Sequence, residues 1–591
     1  MAVESYILYT FVICNTVNTI NTAQRLTRLN AIEMLKENLI ESFENSFKQH
    51  WKLDCLSDYG QNNLYTYGDT AKEIAKLHLL FKKCHIQEGD KIAIIGKNNA
   101  LWCISFLATI SYGAVVVPIL QDFNINDVRH IVNHSESVLL FTSEKVWDHL
   151  EEDKLPLLKA AFSLSDLSCL YAKDPVFENV SNRLETLFLE EHPDGYTASD
   201  IHFKYVPNER LMLINYTSGT TGFSKGVMLS ANNLAGNVFF GRKSQLLRRG
   251  ERTLSFLPLA HAYGCAFDFL TGIMVGTHVT LLGKTPSPKI LLKAFSEVRP
   301  NIIITVPLVI EKIYKNVILP QISTPSMRRA LSVPLLNRII YNQIRDKLIK
   351  ALGVRFREVI VGGAAMNPEV ERFFKKIRFP FTIGYGMTEC APLISYEWWE
   401  DFVPGTCGKV LKDYVTVRID KETPESKIGE IQVKGENVTL GYYRNEDATK
   451  AAFTEDGWFR TGDLGYLDAK GNVCIRGRVK TMILGASGQN IFPEEIEAKL
   501  NNLPYVAESL VIERNKRLVA LVYPDYEALD KNGLNSTDGL KKVMDENLAT
   551  LNETVGSYER VSKIQIFPTE FEKTPKRSIK RYLYNSVPDE V

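Results

Sequence analysis

A glycine- and hydroxyl-rich segment behind a predicted strand constrains this chain more than any other stretch of its sequence. The predicted strand covers 211–215, and the segment Tyr216–Gly226 contains three glycines, several Ser and Thr hydroxyls and Lys225. Glycines let backbone N–H groups approach an anion closely, and hydroxyls and a lysine add further donors. The pattern predicts a phosphate-binding loop at a strand end, and an ordinary surface loop is the alternative.

This loop differs from the phosphate loop of nucleoside-triphosphate hydrolases, which ends in Gly-Lys-Ser or Gly-Lys-Thr at the start of a helix. Here Ser224 precedes Lys225, Gly226 follows it, and residues 227–230 have the pattern of another strand. A phosphotransferase is therefore the least favoured function for this site.

The length and composition indicate a globular protein with at least two domains. The chain has 591 residues, 45% hydrophobic and 24% charged, and its net charge is +1. This balance gives no electrostatic reason to expect a nucleic-acid partner. The nine cysteines are scattered without a Cys-x-x-Cys pair, which argues against a disulfide framework or zinc site and favours a reducing, cytoplasmic location.

The first 33 residues do not have the pattern of a signal peptide. Their apolar run, 6–14, is preceded by Glu4 and by no basic residue, whereas a signal peptide begins with positive charge. Met34 is followed by the amphipathic helix pattern of 35–43. We therefore expect residues 1–33 to be an N-terminal extension and Met34 to be the functional start.

The middle of the chain alternates between predicted strands and helices. Such strand–helix–strand repeats are typical of mostly parallel sheets covered by helices, so we predict an α/β fold. Helices are predicted at 102–112 and 126–134, and strands at 91–96, 115–119, 138–141, 253–257, 278–282, 302–306 and 358–361.

The last hundred residues are more polar and predict a small α+β unit. A strand pair is predicted at 510–512 and 518–522, between helices at 494–500 and near 540–548.

Two further segments have side chains suited to a nucleotide. In 384–389, glycines on both sides of Tyr385 leave its ring room to lie against a flat group such as adenine, and Glu389 is an oxygen ligand suited to Mg²⁺. A turn with a packed tyrosine is the alternative. In 457–465, the carboxylate of Asp463 could accept hydrogen bonds from two ribose hydroxyls.

Taken together, these segments resemble in type and order the motifs of the adenylate-forming (AMP-binding) superfamily, which includes acyl-CoA synthetases and luciferases. The resemblance extends from about residue 60 to 582. It implies a large N-terminal domain over 34–477, a hinge at 478–480 centred on Lys480, and a small mobile C-terminal domain over 481–591. The helix before Gly353 is most similar to that of the long-chain fatty acyl-CoA synthetase branch.

The resemblance also implies residue roles. It assigns the metal to Ser218 and Glu389, contact with the acid to His261 in the segment 258–263, and the thioester-step loop to Ser487 and Gly488. It assigns ATP binding to Thr217, Ser218, Gly219, Thr220, Thr221, Gly222, Lys225, Gly363, Ala364, Gly384, Tyr385, Gly386, Thr388, Asp463 and Arg478.

One motif departs from the family pattern. The superfamily has a lysine three residues before an arginine near the C-terminus, and this chain has Ser578 in that register, before Arg581. Serine cannot supply positive charge to a phosphate transition state. Lys576 or Lys580 could replace the lost lysine because lysine is long and flexible; otherwise adenylation is impaired.

The resemblance implies an ATP- and Mg²⁺-dependent ligase that converts a fatty acid to an acyl-adenylate and then to a coenzyme A thioester. A binding protein that has lost adenylation through Ser578 is one alternative, and transfer to an acyl-carrier protein is another. The helical pattern of 335–349 and the basic residues Arg248, Arg249 and Arg252 leave peripheral membrane contact open.

Overall fold

The computed structural model of the chain describes residues 37–217, 225–484, 489–574 and 578–584. The predicted extension 1–33 and the start at Met34 lie outside these ranges. The first described helix is Leu39–Gln49, and it begins there because the side chain of Asn38 accepts a hydrogen bond from the backbone N–H of Glu41. The sequence pattern predicted a start at residue 35. The helix begins at Leu39 because the cap sets its boundary, and periodicity alone does not reveal the cap.

The largest sheet has eight strands, and its central strands are parallel. They are almost wholly buried because helices cover both faces, which explains their continuous apolar sequences. The strand order is Gly441–Tyr442, Lys225–Ser230, Leu211–Thr217, Val115–Ile119, Lys91–Ile95, Ser137–Thr142, Ala160–Ser163 and Cys169–Ala172.

Two smaller sheets complete the predicted parallel pattern. One is entirely parallel and orders Ile302–Thr305, Glu358–Val361 and Phe381–Ile383. The other has a parallel core and orders Arg252–Ser255, His278–Leu281, Asp54–Asp58 and Leu64–Thr66. The predicted α/β class is confirmed.

Two antiparallel sheets between residues 385 and 478 were not predicted. Their strands are short or alternate between buried and exposed positions with many charged residues, so they lack the apolar runs that identified the other strands. The first orders Tyr385–Gly386, Leu393–Tyr396 and Lys409–Val410, and the second orders Val415–Asp420, Gly429–Gly435, Phe459–Leu467 and Val473–Arg478.

The C-terminal part has its own sheet and its own buried clusters. The hairpin Val506–Arg514 and Arg517–Pro524 pairs with Val561–Ile566, and a short pair joins Ile483–Leu484 to Asn490–Ile491. One apolar cluster includes residues from Ile491 to Val561, separate from the large cluster that runs from Leu39 to Val473. The division at 478–480 and the mobility of the small domain stay predictions.

Helices connect many of the strands and cover the sheets. The α-helices are Leu39–Gln49, Tyr67–Lys83, Ala100–Tyr112, Ile125–His134, Glu144–Trp147, Pro175–Asn182, Leu184–Glu191, Ala231–Lys243, Ala262–Gly264, Thr271–Val275, Pro288–Val298, Pro307–Ile313, Leu319–Ile322, Pro325–Ser332, Leu336–Ala351, Pro368–Lys376, Glu446–Ala452, Pro493–Leu500, Tyr526–Lys531 and Thr537–Thr554. Two π-helical turns, Cys265–Leu270 and Tyr314–Ile318, continue short α-helices. Among the described helices, none has the length and apolar content needed to cross a membrane.

Candidate active site

The predicted phosphate loop begins at the carboxyl end of a central strand. Thr217 ends the strand Leu211–Thr217, Lys225 begins the next, and these two residues are direct antiparallel partners. The structure therefore fixes the two ends of this connection side by side. The other predicted loop residues, Ser218, Gly219, Thr220, Thr221 and Gly222, lie outside the described residues.

A buried amide joins this strand to the predicted acid-contacting segment. Asn215 is 3% exposed, and its Nδ2 donates to the carbonyl of Ala260 at 2.8 Å. His261 follows and directly precedes the short helix Ala262–Gly264, and its side chain is partly exposed. The fold thus brings the acid segment next to the strand that leads into the phosphate loop.

Tyr385, Asp463 and Arg478 form one connected cluster. The Tyr385 hydroxyl donates to Asp463 Oδ2 at 2.7 Å, and Arg478 Nε lies 3.2 Å from Asp463 Oδ1. Asp463 and Arg478 are direct partners on neighbouring antiparallel strands. Burial raises the pKa of the Asp463 carboxyl, and the Arg478 guanidinium opposes that rise. Residues 78 positions apart in sequence therefore share one polar site.

The glycine after Tyr385 is required by close backbone approach. A Cβ atom on Gly386 would lie 2.1 Å from the carbonyl oxygen of Pro392, because the strand Tyr385–Gly386 runs against Leu393–Tyr396. No side chain fits there. The Tyr385 ring is 7% exposed, so the adenine contact predicted for it would use the edge of a largely packed side chain.

Tyr442, which the sequence did not single out, lies between Glu389 and Lys225. The Tyr442 hydroxyl donates to Glu389 Oε1 at 2.9 Å, and Lys225 Nζ lies 5.0 Å from the centre of the Tyr442 ring. Tyr442 reaches this position because Gly441–Tyr442 pairs with the strand Lys225–Ser230. No local pattern marks Tyr442, since only the pairing of distant strands places it here. Thr388, beside Glu389, is buried.

The carboxylate of Glu389 fits a magnesium ion that also binds phosphates. Across the described ranges, no group of three or more His, Cys, Asp or Glu side chains could hold a metal by itself. Mg²⁺ commonly takes one or two carboxylates and completes its shell with phosphate oxygens and water. The partly exposed carboxylate of Glu389, beside the phosphate loop's second strand, suits that arrangement.

The segment containing Gly363 and Ala364 lies against the acid segment. Gly363 has φ +87° and is exposed, as is Ala364. A Cβ on the preceding Gly362 would lie 3.1 Å from the ring of Tyr263, whose hydroxyl donates to the carbonyl of Ile360 at 3.1 Å. Two segments that lie far apart in the sequence therefore form adjoining walls of the candidate site.

The strand that ends at Arg478 leads directly into the C-terminal part. Lys480 is exposed in the turn behind it. Arg476 on the same strand lies 3.0 Å from Glu495 of the helix Pro493–Leu500, so the strand end contacts the small unit. Ser487 and Gly488 lie outside the described residues.

Lys580 pairs with a carboxylate of its own segment and is also influenced by a carboxylate of the large domain. Its Nζ is 3.1 Å from Glu572 Oε2; the hydrogen bond to Glu572 raises the Lys580 pKa, and the carboxylate of Asp127 adds to the rise. Asp127 is in the first turn of a helix that follows the strand Val115–Ile119, the parallel neighbour of Leu211–Thr217. Ser578 is exposed, and Lys576 lies outside the described residues.

The fold and these clusters define a two-part α/β protein of the adenylate-forming type. The family described as AMP-binding enzyme matches residues 43–443, and the chain belongs to that family. The resemblance inferred from the motifs is confirmed.

Similar proteins include ligases of long-chain fatty acids. A long-chain-fatty-acid–CoA ligase of Mycobacterium bovis is 29% identical over 87% of this chain and 89% of its own length. The long-chain-fatty-acid–CoA ligase heimdall of Drosophila melanogaster is 27% identical over 88% of this chain and 80% of its own length.

Solved structures support the fold. ATP-bound MatB from Rhodopseudomonas palustris is 22% identical, with a TM-score of 0.71 over 93% of this chain and 99% of its own. A Mycobacterium tuberculosis fatty acyl CoA synthetase is 20% identical, with a TM-score of 0.62 over 93% of this chain and 98% of its own.

Proposed function

We propose that this protein is a long-chain fatty acid–CoA ligase. A carboxylate oxygen of the acid attacks the α-phosphorus of ATP, the bond to the bridging oxygen breaks, and pyrophosphate leaves. The thiol sulfur of coenzyme A then attacks the acyl carbon and loses its proton to water, and AMP leaves with the bonding electron pair. The observation that carries the proposal is the assembly of Tyr385, Asp463 and Arg478 into one cluster in a protein of the AMP-binding family.

The cluster would hold the nucleoside of ATP. Asp463 would accept hydrogen bonds from the two ribose hydroxyls, since an ionised carboxylate forms strong charge-assisted bonds. The Arg478 guanidinium opposes the rise that burial causes in the pKa of that carboxyl, and Tyr385 positions the carboxylate through its hydroxyl. Gly384 and Gly386 would border the nucleoside on either side of Tyr385.

The exposed backbone at Gly363 and Ala364 would border the adenine on its other side. The positive φ of Gly363 and the exposure of both residues leave this backbone accessible to a flat ligand.

The triphosphate would lie on the loop between Thr217 and Lys225. Donors of that loop, Ser218 to Gly222 included, and the Lys225 ammonium would neutralise its charge. Glu389 and Ser218 would hold Mg²⁺, which when bound supplies positive charge to the phosphates. Tyr442 fixes the orientation of the Glu389 carboxylate through its hydroxyl. Catalysis is then mainly positioning and charge neutralisation.

The carboxylate of the acid would lie near His261. The segment around His261 adjoins both the strand before the phosphate loop and the wall formed by Gly362 and Tyr263. An acid bound there would have its carboxylate close to the strand that leads into the phosphate loop.

Lys580 is the better candidate for the lysine that the family pattern places at Ser578. Its neighbour Arg581 is anchored by Glu497 at 2.8 Å, and the carboxylate of Asp127 on the large domain contributes to the raised pKa of Lys580. Movement of the Lys580 Nζ from Glu572 toward a phosphate of ATP would exchange one anionic partner for another. Lys576 is the second candidate.

The second half-reaction would use rotation of the small domain, 481–591, about the hinge 478–480. Lys480 is exposed in a turn, where a change of backbone angles meets little packing resistance. Ser487 and Gly488 would then approach the adenylate with coenzyme A. An acyl-carrier protein is the alternative acceptor. The expected setting is the cytoplasm, with peripheral contact to a membrane.

The test is pyrophosphate release from ATP with carboxylates from acetate to oleate, with and without coenzyme A. Release with long chains and its stimulation by coenzyme A are expected. Retained ATP binding without release for any acid would instead favour a binding protein disabled at Ser578. The double variant Lys576→Ala/Lys580→Ala distinguishes a ligase from a binding protein, because it abolishes pyrophosphate release only if the protein is an enzyme.

A further inference from the structure

Two asparagines join the large domain to the small unit through their side chains. Asn367 Nδ2 donates to Asn502 Oδ1, and Asn502 Nδ2 donates back to Asn367 Oδ1 at 3.2 Å. Next to this pair, Lys315 Nζ donates to the carbonyl of Asn501 at 2.8 Å. We call these three hydrogen bonds the asparagine contact.

The large domain orients its own side of the asparagine contact. Asn367 caps the helix Pro368–Lys376, because its Oδ1 accepts from the backbone N–H of Glu369 at 2.9 Å. The backbone N–H of Asn367 donates to Glu311 Oε1 at 2.8 Å. Glu311 and Lys315 lie on consecutive helical turns, so the two large-domain donors of the contact belong to one connected cluster.

The small unit presents its side of the contact at the end of one helix. The helix Pro493–Leu500 ends at Asn501, whose backbone N–H donates to the carbonyl of Glu497 at 2.8 Å. Asn501 Oδ1 also accepts from Ser509 Oγ at 2.8 Å. These bonds fix the helix end to the strand that contains Ser509, and Asn502 follows directly.

The same helix holds the segment that contains Lys580. Its Glu497 lies 2.8 Å from Arg581 Nη1, and Arg581 also donates to the carbonyl of Val511 at 2.9 Å. Glu497 is only 8% exposed, so this pair lies inside the small unit. One helix therefore links the asparagine contact to the segment of Lys580.

In this arrangement the lysine segment interacts with the large domain. The hydrogen bond to Glu572 raises the pKa of Lys580, and the carboxylate of Asp127 on the large domain adds to the rise. Asn367 itself ends the glycine-rich segment 362–367, which would border the nucleotide. The asparagine contact thus joins the border of the proposed nucleotide site to the helix that anchors the lysine segment.

The helix Pro493–Leu500 has a second contact with the large domain, just before the predicted hinge. Arg476 Nε lies 3.0 Å from Glu495 Oε1 in its first turn. Rotation at 478–480 would keep neighbours of the hinge close to one another, whereas it would separate groups at the other end of the helix. Neutral hydrogen bonds in contact with water have a small net free energy, which suits a contact that forms and breaks in every cycle.

We propose that the asparagine contact holds the small unit in the orientation that presents Lys580 for adenylation, and that it breaks before the thioester step. Asn367, Asn502 and Lys315 are then positioning residues, since they act through the orientation of the small unit. This role rests on the proposed function and on the predicted hinge, whereas the contact itself does not.

The test measures the two half-reactions separately in the full-length protein. Asn502→Ala removes both amide hydrogen bonds and leaves the cap at Asn367 intact. It should slow pyrophosphate release from ATP and oleate by about fivefold or more, because each hydrogen bond is worth about two- to tenfold. Thioester formation from supplied oleoyl-adenylate and coenzyme A should keep its rate or become faster.

Two further variants grade the effect. Asn502→Asp keeps an acceptor for Asn367 Nδ2, so it should lose less pyrophosphate release than Asn502→Ala. Lys315→Met removes one hydrogen bond and should slow release by about two- to fivefold, again without slowing thioester formation.

Matched controls remove the same residue types away from the contact. Asn532→Ala removes an amide that donates to the carbonyl of Ala528 at 2.8 Å within the small unit. Lys312→Met removes an exposed lysine close to Lys315 in the chain. Both controls should leave both half-reactions unchanged.

Hydrogen–deuterium exchange gives a readout that needs no activity. Backbone amides of 366–371 and 499–503 should exchange faster in Asn502→Ala than in the unmodified protein, and equally in the controls. Unchanged pyrophosphate release in Asn502→Ala would overturn the proposal, and so would equal slowing of both half-reactions, which a general loss of structure produces. Absence of release in the unmodified protein would overturn the proposed function and the positioning role with it, while faster exchange in Asn502→Ala would still demonstrate the contact.

Discussion

The cluster of Tyr385, Asp463 and Arg478 in the large domain and the lysine segment around Lys580 in the small unit hold their charged groups in opposite ways. Asp463 is 8% exposed and already bonded to Tyr385 and Arg478, so its geometry is fixed before any ligand arrives. Lys580 is half-buried, and within the described ranges its Nζ pairs with Glu572, an anion that a phosphate can replace. The difference suggests that the large domain selects the nucleotide and that the small unit supplies charge when needed.

The largest effect is expected from Lys580→Ala. It should slow pyrophosphate release by about 100- to 1,000-fold, the usual cost of one charge-stabilising donor in a transition state, and leave ATP affinity nearly unchanged. Release is measured at saturating ATP and ATP affinity by calorimetry.

Lys573→Ala serves as the control for that prediction, since Lys573 lies on the same segment and forms an ion pair with Glu508 at 2.5 Å. If Lys576→Ala slows release and Lys580→Ala does not, Lys576 is the residue that replaces the family lysine.

Arg581→Met tests whether the lysine segment must be anchored. Arg581 lies 2.8 Å from the buried Glu497 and donates to the carbonyl of Val511 at 2.9 Å. Loss of one partner of a buried pair should destabilise the small unit by about 3 kcal/mol. Thermal unfolding should show this loss and a slower pyrophosphate release, while ATP binding to the large domain persists. An unchanged melting curve would contradict the anchoring role.

Asp463→Asn should weaken ATP binding by about 10- to 100-fold, because hydrogen bonds to a charged acceptor are worth about 1.5 to 3 kcal/mol. The asparagine can still accept from Tyr385, so the fold should persist. Asp456→Asn is the control, since Asp456 is an exposed carboxylate that pairs with Arg418 in the same sheet. An unchanged ATP dissociation constant in Asp463→Asn would exclude the ribose role.

A pH-dependent change in stability, rather than in activity, is expected from a buried acid outside both regions. Burial raises the pKa of Glu358 to about 8; Tyr396 donates to one oxygen at 2.5 Å and the Trp399 N–H to the other at 2.6 Å. The folded state therefore binds a proton that the unfolded state releases near pH 4.5. Stability should fall by about 1.4 kcal/mol per pH unit between those values and level off above them.

Glu358→Gln mimics the protonated acid and should remove this slope. The comparison is made by denaturant unfolding at several pH values between about 5.5 and 7.5. Identical slopes in the two proteins would show that the acid is ionised in the folded state.

Much of the fold was predictable because its signals are local. The parallel strands are continuous apolar runs, and the strands predicted at 115–119 and 358–361 have the bounds observed. The antiparallel strands that carry Asp463 and Arg478 have no such runs, and their pairing depends on partners elsewhere in the chain.

The sequence by itself determined the order of the motifs, the class of the fold and the absence of a lysine at Ser578, since each depends on residue identity over a few positions. Only the tertiary structure decided that Tyr385 bonds Asp463, that Tyr442 joins Lys225 to Glu389, and that Arg581 pairs with the buried Glu497. These contacts form between strands and helices that lie far apart in sequence, and their geometry is fixed by strand register and packing, which no local pattern records.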